Sequence, residues 1–456
     1  MNLSPGQIAA ALGAEVAAEG PAESPRRATI DSAEAGPGDL FFGLRGEKRD
    51  GGEFAGVALE AGAWGAVVSP GWRSSLLAQG AKKDERRAWA FVVEDPLAAM
   101  QALARAYRRA LGAQVVGVTG SVGKTSVKDI AKALLPGRVH ANPQNFNTEI
   151  GLPLTILAAP ADADVLVLEM AMRGRGQIAE LAAIAEPGVA VITNVGPVHV
   201  ELLGSIEAIA AAKAEILDDL PPDGTAVAPV EAGVLEPHLE RAPRLLRFGR
   251  GGDVEATEVG IEDGVTAALV RTPLGSRRFH FPFTEAHNLT NALAAIAAGV
   301  ALEADLAAMA DRAADIGFSR FRGERLELPG GIVLVNDCYN ANPVSMRAAL
   351  DHLGTLGAER SVAVLGEMGE LGPDSPRYHR EVGEHARAAG IDFIVGVGLP
   401  ARDYDPDELV ADPGEAAELL AARLEPGDAV LVKGSRSAGL EAVAEQLPEL
   451  VEVGDG

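Results

Sequence analysis

The sequence predicts an α/β protein of three domains whose middle part is a mostly parallel sheet around a phosphate-binding loop. Three observations predict it. At 456 residues the chain has room for about three domains. Buried-strand runs recur between helical segments: 165–170 (VLVLEM), 189–194 (VAVITN), Ile332–Asn336, 362–365, Phe393–Val397 and 429–432. Continuous apolar runs belong to strands covered on both faces, which points to parallel pairing. The third observation is the stretch 113–135, AQVVGVTGSVGKTSVKDIAKALL, where Val115, Val116 and Val118 feed the turn Gly120-Ser121-Val122-Gly123-Lys124-Thr125-Ser126 and a helical pattern follows. Glycines there let backbone N–H groups close on phosphate oxygens; Lys124 reaches the β- and γ-phosphates, and the Thr125 hydroxyl suits Mg²⁺. The alternative is a Gly-rich strand–helix turn with one exposed lysine, but the flanking context is the one the motif requires. ATP or GTP binding is the expectation.

In order along the chain, residues 1–112 read as a small α/β unit. Ser4 and Pro5 suit an N-cap and a first helical position. Asp39–Phe42, 65–69 (GAVVS) and 88–93 (AWAFVV) read as strands, and Pro96–Leu111 as a helix leading to the phosphate loop. Residues 113–317 carry the loop and the first buried strands. Within them 258–283 alternates apolar and polar residues, so it reads as an antiparallel hairpin turning at Pro273-Leu274-Gly275-Ser276. The Ala-rich stretch 286–314 reads as helix, and 318–456 as a third unit of strands and helices. In open parallel sheets ligands sit beyond the carboxyl ends of the strands. Glu169, Thr193-Asn194, Asp337, Gly366-Glu367 and Lys433-Gly434-Ser435-Arg436 all end or follow such runs. That placement predicts a cleft between two α/β domains.

Composition narrows the partners. Forty basic residues stand against 65 acidic ones, a net charge of −25, which argues against nucleic acid or an anionic membrane. Aromatics at 4% offer no stacking platform for single strands. The single cysteine, Cys338, allows no internal disulfide and fits a reducing cytoplasm. The start lacks a basic-then-apolar leader, and the strongest apolar stretch, 292–302, is too short to span a bilayer. A cytoplasmic monomer is expected.

Around the phosphate loop, Glu169 at the end of a buried strand would be a costly unpaired charge but a suitable oxygen ligand for nucleotide-bound Mg²⁺. His199 follows the next strand; taken alone, such a histidine is more often a loop or core residue. Lys213 lies in a helical pattern, 206–217, where an exposed lysine is the common case. A GTPase would carry an Asn-Lys-x-Asp block, and none is present.

Together these blocks resemble the Mur ligase family, which builds the peptide of peptidoglycan. Position 118, where a strict Walker A loop has its first glycine, is valine; Thr119–Thr125 instead resembles the variant loop of these ligases. The resemblance extends through 142–157 (NPQNFNTEIGLPLTIL), 168–172 (LEMAM), 192–199 (ITNVGPVH) and 287–292 (HNLTNA). Asp337-Cys338-Tyr339-Asn340-Ala341-Asn342-Pro343 is similar to the block that marks the D-alanyl-D-alanine-adding branch, and 365–372 and 432–439 fit that branch too. Other amide ligases of the superfamily, folylpolyglutamate synthase among them, are the alternatives.

The resemblance implies a three-domain Mur ligase architecture, with a Rossmann-like last domain that closes over ATP. It implies that ATP drives amide formation between UDP-N-acetylmuramoyl-tripeptide and D-alanyl-D-alanine. Gly120 through Ser126 would hold phosphates. Thr125, Glu169 and His199 would hold Mg²⁺, and a carbamylated Lys213 would help hold a second ion. Asn288 and Asn291 would meet adenine. Arg322 and Asp337 would grip the nucleotide, and Ser32, Asn147 and Thr148 the UDP-muramoyl substrate. Lys433 and Arg436 are candidates for the dipeptide carboxylate, with Asn340 and Asn342 ordering that loop or touching substrate; a solvated loop residue is the alternative for Arg436. Two blocks depart from the family pattern: Asp31-Ser32-Ala33 lacks its arginine and Asp50-Gly51-Gly52 its histidine. Cys338 has no evident activating base and is not expected to be a nucleophile.

Overall fold

The computed structural model describes residues 1–80, 88–143, 145–198 and 200–454. Four sheets organise it. The first holds β1 (Glu15–Ala18), β2 (Arg27–Thr29), β3 (Asp39–Phe42), β4 (Gly65–Val68) and β5 (Trp89–Val92) in the order β1-β5-β4-β3-β2. The Pro5–Leu12 helix before it is capped by Ser4, with Pro5 at its start. The second sheet holds β6 (Gln114–Thr119), β7 (Val139–Ala141), β8 (Val165–Glu169), β9 (Val189–Ile192), β10 (Thr225–Pro229) and β11 (Arg244–Phe248) in the order β11-β10-β9-β6-β8-β7. Its pairings are parallel throughout.

This topology positions the chemistry. β6 and β9 are neighbours, and the chain runs from β6 towards β7 on one side and from β9 towards β10 on the other, the arrangement that opens a crevice at strand ends. Register puts Val118 beside Glu169 and Thr119 beside Ile192. The loops after β6, β8 and β9 therefore start side by side.

The region read as a hairpin is a three-stranded meander: β12 (Glu255–Glu262), β13 (Val265–Thr272) and β14 (Gly275–Phe281). The expected turn joins β13 to β14. β12 is mostly exposed, Val259 and Ile261 included, so it has no core face to betray it. The helix expected over 286–314 stops at Ala301. Glu303 turns left-handed at φ 56°, and Asp305 caps a separate helix, Leu306–Asp311.

The last sheet holds β15 (Glu324–Leu328), β16 (Ile332–Asn336), β17 (Arg360–Leu365), β18 (Phe393–Val397), β19 (Glu408–Val410) and β20 (Asp428–Lys433) in the order β15-β16-β20-β17-β18-β19. Only its edge strand β15 is antiparallel. β20 sits between β16 and β17, so Asp337, Gly366 and the residues after Lys433 leave the sheet together.

Core packing divides the chain unevenly. One apolar cluster runs from Leu40, Phe42 and Phe91 of the first unit into Leu152, Leu166 and Ile178 of the second. The third unit keeps its two clusters to itself. Phe318 packs on the second unit's core and Phe321 on the third's. Between them Ser319 donates both its N–H and its hydroxyl to Asp129 Oδ2, at 2.9 and 2.7 Å.

Candidate active site

The phosphate loop is braced from behind by the loop after β9. Val122 N–H donates to Asn194 Oδ1 at 2.9 Å, and the Thr193 hydroxyl donates to Val122 O at 2.5 Å. Ser121 Oγ and the Gly196 backbone bond reciprocally. Gly120 (φ 151°) and Gly123 (φ 81°) both occupy backbone conformations that favour glycine. A Cβ on Gly120 would lie 1.9 Å from Thr193 Oγ1, and one on Gly123 would lie 2.4 Å from Asn291 Oδ1. The glycines are thus required by close approach as well as by dihedral. Lys124 starts the Lys124–Leu134 helix, followed by Thr125 and a half-buried Ser126. Its ammonium donates to Gly120 O at 2.8 Å and to Ser121 O at 3.4 Å.

Glu169 faces this loop from β8. It is 3% exposed. Its Oε2 accepts from the Thr125 hydroxyl at 2.8 Å, and its Oε1 accepts from Asn147 Nδ2 at 2.8 Å. Asn142 clamps its backbone, accepting from Glu169 N–H and donating to Glu169 O. Lys213 approaches from the Ile206–Ala214 helix and donates to the same Gly120 O at 2.9 Å. It is 2% exposed, so the exposed-helix reading is overturned. Burial, and then the neighbouring Lys124 charge, hold the Lys213 amine well below its ordinary value. Burial also lowers Lys124, with Glu169 opposing the shift and Arg322 adding to it. Arg322 belongs to the third unit, so that unit reaches the phosphate loop.

The residues present fit a nucleoside triphosphate and its cation. The cradle is one that side chains at Gly120 and Gly123 would fill. Arg322 stacks over Tyr339 at 4.1 Å while its buried Nε has no hydrogen-bond partner within the chain. Among the described residues no group of three or more His, Cys, Asp or Glu is placed to hold a metal ion alone. A hard cation here would draw on Glu169, the Thr125 hydroxyl and phosphate oxygens, the ligand set expected of nucleotide-bound Mg²⁺. His199 lies outside the described residues.

Asn288 and Asn291 are buried in the Ala286–Ala301 helix. Asn291 Nδ2 donates to Asn288 Oδ1 at 3.3 Å, and Asn288 Nδ2 to Glu285 Oε2 at 3.3 Å. Glu285 in turn stands 3.5 Å from His352 Nε2 of the third unit. Neither Asn142, Glu285 nor His352 was singled out by sequence reading. The motif block beginning at Asn142 was the available signal for the first; no signal marks the long-range pair.

The residues assigned to the dipeptide divide. Lys433 is 2% exposed; its ammonium donates to Asp337 Oδ2 at 2.6 Å and Asn340 O at 3.1 Å. It is occupied in shaping the loop after β16. Asn342 is likewise occupied: it caps the Pro343–Thr355 helix, accepting from Val344 and Ser345 N–H. Asn340 is exposed, and its Oδ1 accepts from Ala341 N–H. Arg436 pairs with Glu441 at 3.0 Å but keeps 59% of its side chain exposed, so of the two cations it is the one that solvent can reach. Burial pushes the Cys338 thiol up to about 12, which agrees with a structural role.

The first unit explains one departure from the family pattern. A Cβ on Gly52 would fall 2.2 Å from Trp72 Cδ1, so an indole occupies the space a side chain at 52 would need. Asp31 Oδ1 accepts from Ala33 N–H at 2.8 Å, tying the turn around half-buried Ser32. Asn147 reaches Glu169, whereas Thr148 is exposed beside it.

Fold and site together define an α/β nucleotide-binding protein with its phosphate loop at the seam between two units. Residues 118–299 match the Mur ligase middle domain, and 321–436 match the Mur ligase glutamate ligase domain. The UDP-N-acetylmuramoyl-tripeptide--D-alanyl-D-alanine ligase of Synechocystis is 39% identical over 429 residues, covering 90% of this chain and 89% of its own. The Escherichia coli enzyme of the same name is 33% identical, covering 92% and 93%. MurF from Acinetobacter baumannii superposes with a TM-score of 0.87 at 28% identity, covering 98% and 99%. MurF from Thermotoga maritima, solved with ADP, gives 0.80 at 31% identity, covering 94% and 98%. The chain belongs to the Mur ligase family. No helix among the described residues is long and apolar enough to cross a membrane.

Proposed function

We propose that this chain is an ATP-dependent ligase joining D-alanyl-D-alanine to UDP-N-acetylmuramoyl-tripeptide, acting in the cytoplasm on peptidoglycan precursors. The domains are 1–112 for the UDP substrate, 113–317 for ATP, and 318–456 for closure and the dipeptide. The observation that carries the reading is the joint one: a phosphate loop facing Glu169, with Arg322 of the third unit near enough for its charge to act on Lys124.

The chemistry follows from what a carboxylate lacks. It is a poor acylating agent until one oxygen becomes a leaving group. The tripeptide's terminal carboxylate attacks the γ-phosphorus, the bond to the bridging β-oxygen breaks, and ADP leaves. Lys124 and Arg322 neutralise charge on the transferring group. The dipeptide amine attacks the acyl phosphate; the tetrahedral intermediate collapses, phosphate leaves with the former carboxylate oxygen, and the amine loses a proton. Closure of the third unit excludes water from the acyl phosphate. Arg436 is assigned to the dipeptide carboxylate.

Thr125, Glu169, His199 and a carbamylated Lys213 are assigned to Mg²⁺, which supplies charge neutralisation when bound. Carbamylation needs a neutral amine, because the nitrogen lone pair attacks CO₂ and a proton is released. The depressed, buried Lys213 amine meets that requirement. Mass spectrometry after incubation with ATP, UDP-N-acetylmuramoyl-tripeptide and D-alanyl-D-alanine tests the function. The UDP-muramoyl pentapeptide is the expected product. ATP turnover indifferent to both acceptors would contradict the reading.

A further inference from the structure

The Ser375–Ala388 helix carries a buried side chain that the proposed chemistry leaves unused. His379 is 1% exposed. Its Nε2 accepts from Met368 N–H at 3.0 Å. Its Nδ1 lies 2.7 Å from the Ser375 carbonyl oxygen, which can only accept, so the ring proton sits on Nδ1. The imidazole is therefore neutral and of one tautomer. It packs on Tyr404 at 4.7 Å between centroids, and the Tyr404 hydroxyl donates to Gly366 O at 2.8 Å. Two side chains thus grip the start of the loop 366–372.

That loop contains Gly366, Gly369 and Gly372, so it has much conformational freedom to lose. It is tied sideways to the residue before Arg436. Gly369 N–H donates to Ser435 Oγ at 2.8 Å, and Ser435 N–H donates to Glu367 O at 2.8 Å. It also faces the second unit, with Glu370 Oε1 3.8 Å from Arg173 Nε.

We infer that His379 is a positioning residue for the amine substrate, holding the 366–372 loop and, through Ser435, the strand end that presents Arg436. The inference rests on the ligase reading above. Acid should loosen this grip. Burial lowers the ring's proton affinity from 6.5, while the Ser375 carbonyl, Asp403 and Glu367 act the other way; Asp403 is itself 3.9 Å from Arg380. Because the native contacts need an unprotonated Nε2, they weaken as pH falls below the ordinary histidine value. A protonated Nε2 would point a donor at the Met368 donor.

Steady-state kinetics of the full chain tests this. His379→Leu removes both hydrogen bonds, whereas His379→Gln keeps an acceptor for Met368 N–H. His379→Leu should raise KM for D-alanyl-D-alanine about tenfold while KM for ATP moves less than about twofold. His379→Gln should recover most of that loss. The wild-type dipeptide KM should rise more steeply than the Leu variant's as pH falls below the ordinary histidine range, the rise common to both reporting protonation of the dipeptide amine. Equal changes in every KM, or none, would overturn the inference. If His379→Leu does not fold, Tyr404→Phe removes one hydroxyl and should raise the same KM alone; an unchanged value would overturn it. If the wild type makes no pentapeptide, the ligase reading itself fails. Hydrogen exchange of the 366–372 peptide then decides the positioning claim: faster exchange in His379→Gln or Tyr404→Phe upholds it, and unchanged exchange overturns it.

Discussion

Two lysines, Lys124 and Lys213, donate to one carbonyl oxygen of the phosphate loop, Gly120 O. Burial first, and then the neighbouring Lys124 charge, depress the Lys213 amine. The folded chain then binds fewer protons than the unfolded one between the depressed value and 10.5, so stability from this site rises with pH across that window. Lys213→Met should abolish that dependence in denaturant titrations, with little loss of stability at neutral pH, because a buried amine is replaced by an apolar chain of similar length. Lys213→Ala should lose ligation by at least about a thousandfold, with short carboxylates restoring part of it; full activity would remove the carbamate. Cys338→Ala should keep kcat within about twofold, and thiol reagents should not inactivate the native enzyme, given its raised thiol. Gly52→His restores the family's residue against the Trp72 ring and should cost about 3 kcal/mol in unfolding free energy.

Elements were legible where their own residues declare them. The strand–glycine–Lys-Thr–helix order, the strand-end polars and the capped first helix were all readable. What sequence left hidden is set by partners far along the chain. β12 is an exposed edge, β7 and β19 are short, and β10 and β11 lie among Pro and Gly turns. Lys213 looked like a surface lysine because its alanine neighbours give no sign of which face is covered. Asn142 shows the same limit within the site: the motif marked its block, but only the fold reveals that it holds both backbone groups of Glu169. Asn142→Ala should therefore cost about 2 kcal/mol and lower kcat, because Glu169 loses its fixed position. A change in stability with kcat preserved would show that Glu169 does not need that clamp.

At the scale of the whole molecule, the shared apolar core makes the first two units a common platform, while the third has its own core and a tether at Ser319. Such an arrangement favours rigid-body movement of the last unit. Small-angle scattering should record a smaller radius of gyration when a non-hydrolysable ATP analogue and UDP-N-acetylmuramoyl-tripeptide are added together; an unchanged value would separate catalysis from closure. In the proposed reaction the substrate's own carboxylate takes up the γ-phosphoryl group at the seam where Lys124 and Glu169 meet the third unit. The direct measurement uses tripeptide labelled with ¹⁸O in its terminal carboxylate, followed by mass analysis of the inorganic phosphate. One labelled oxygen per phosphate released is the expected result; unlabelled phosphate would rule out the acyl phosphate.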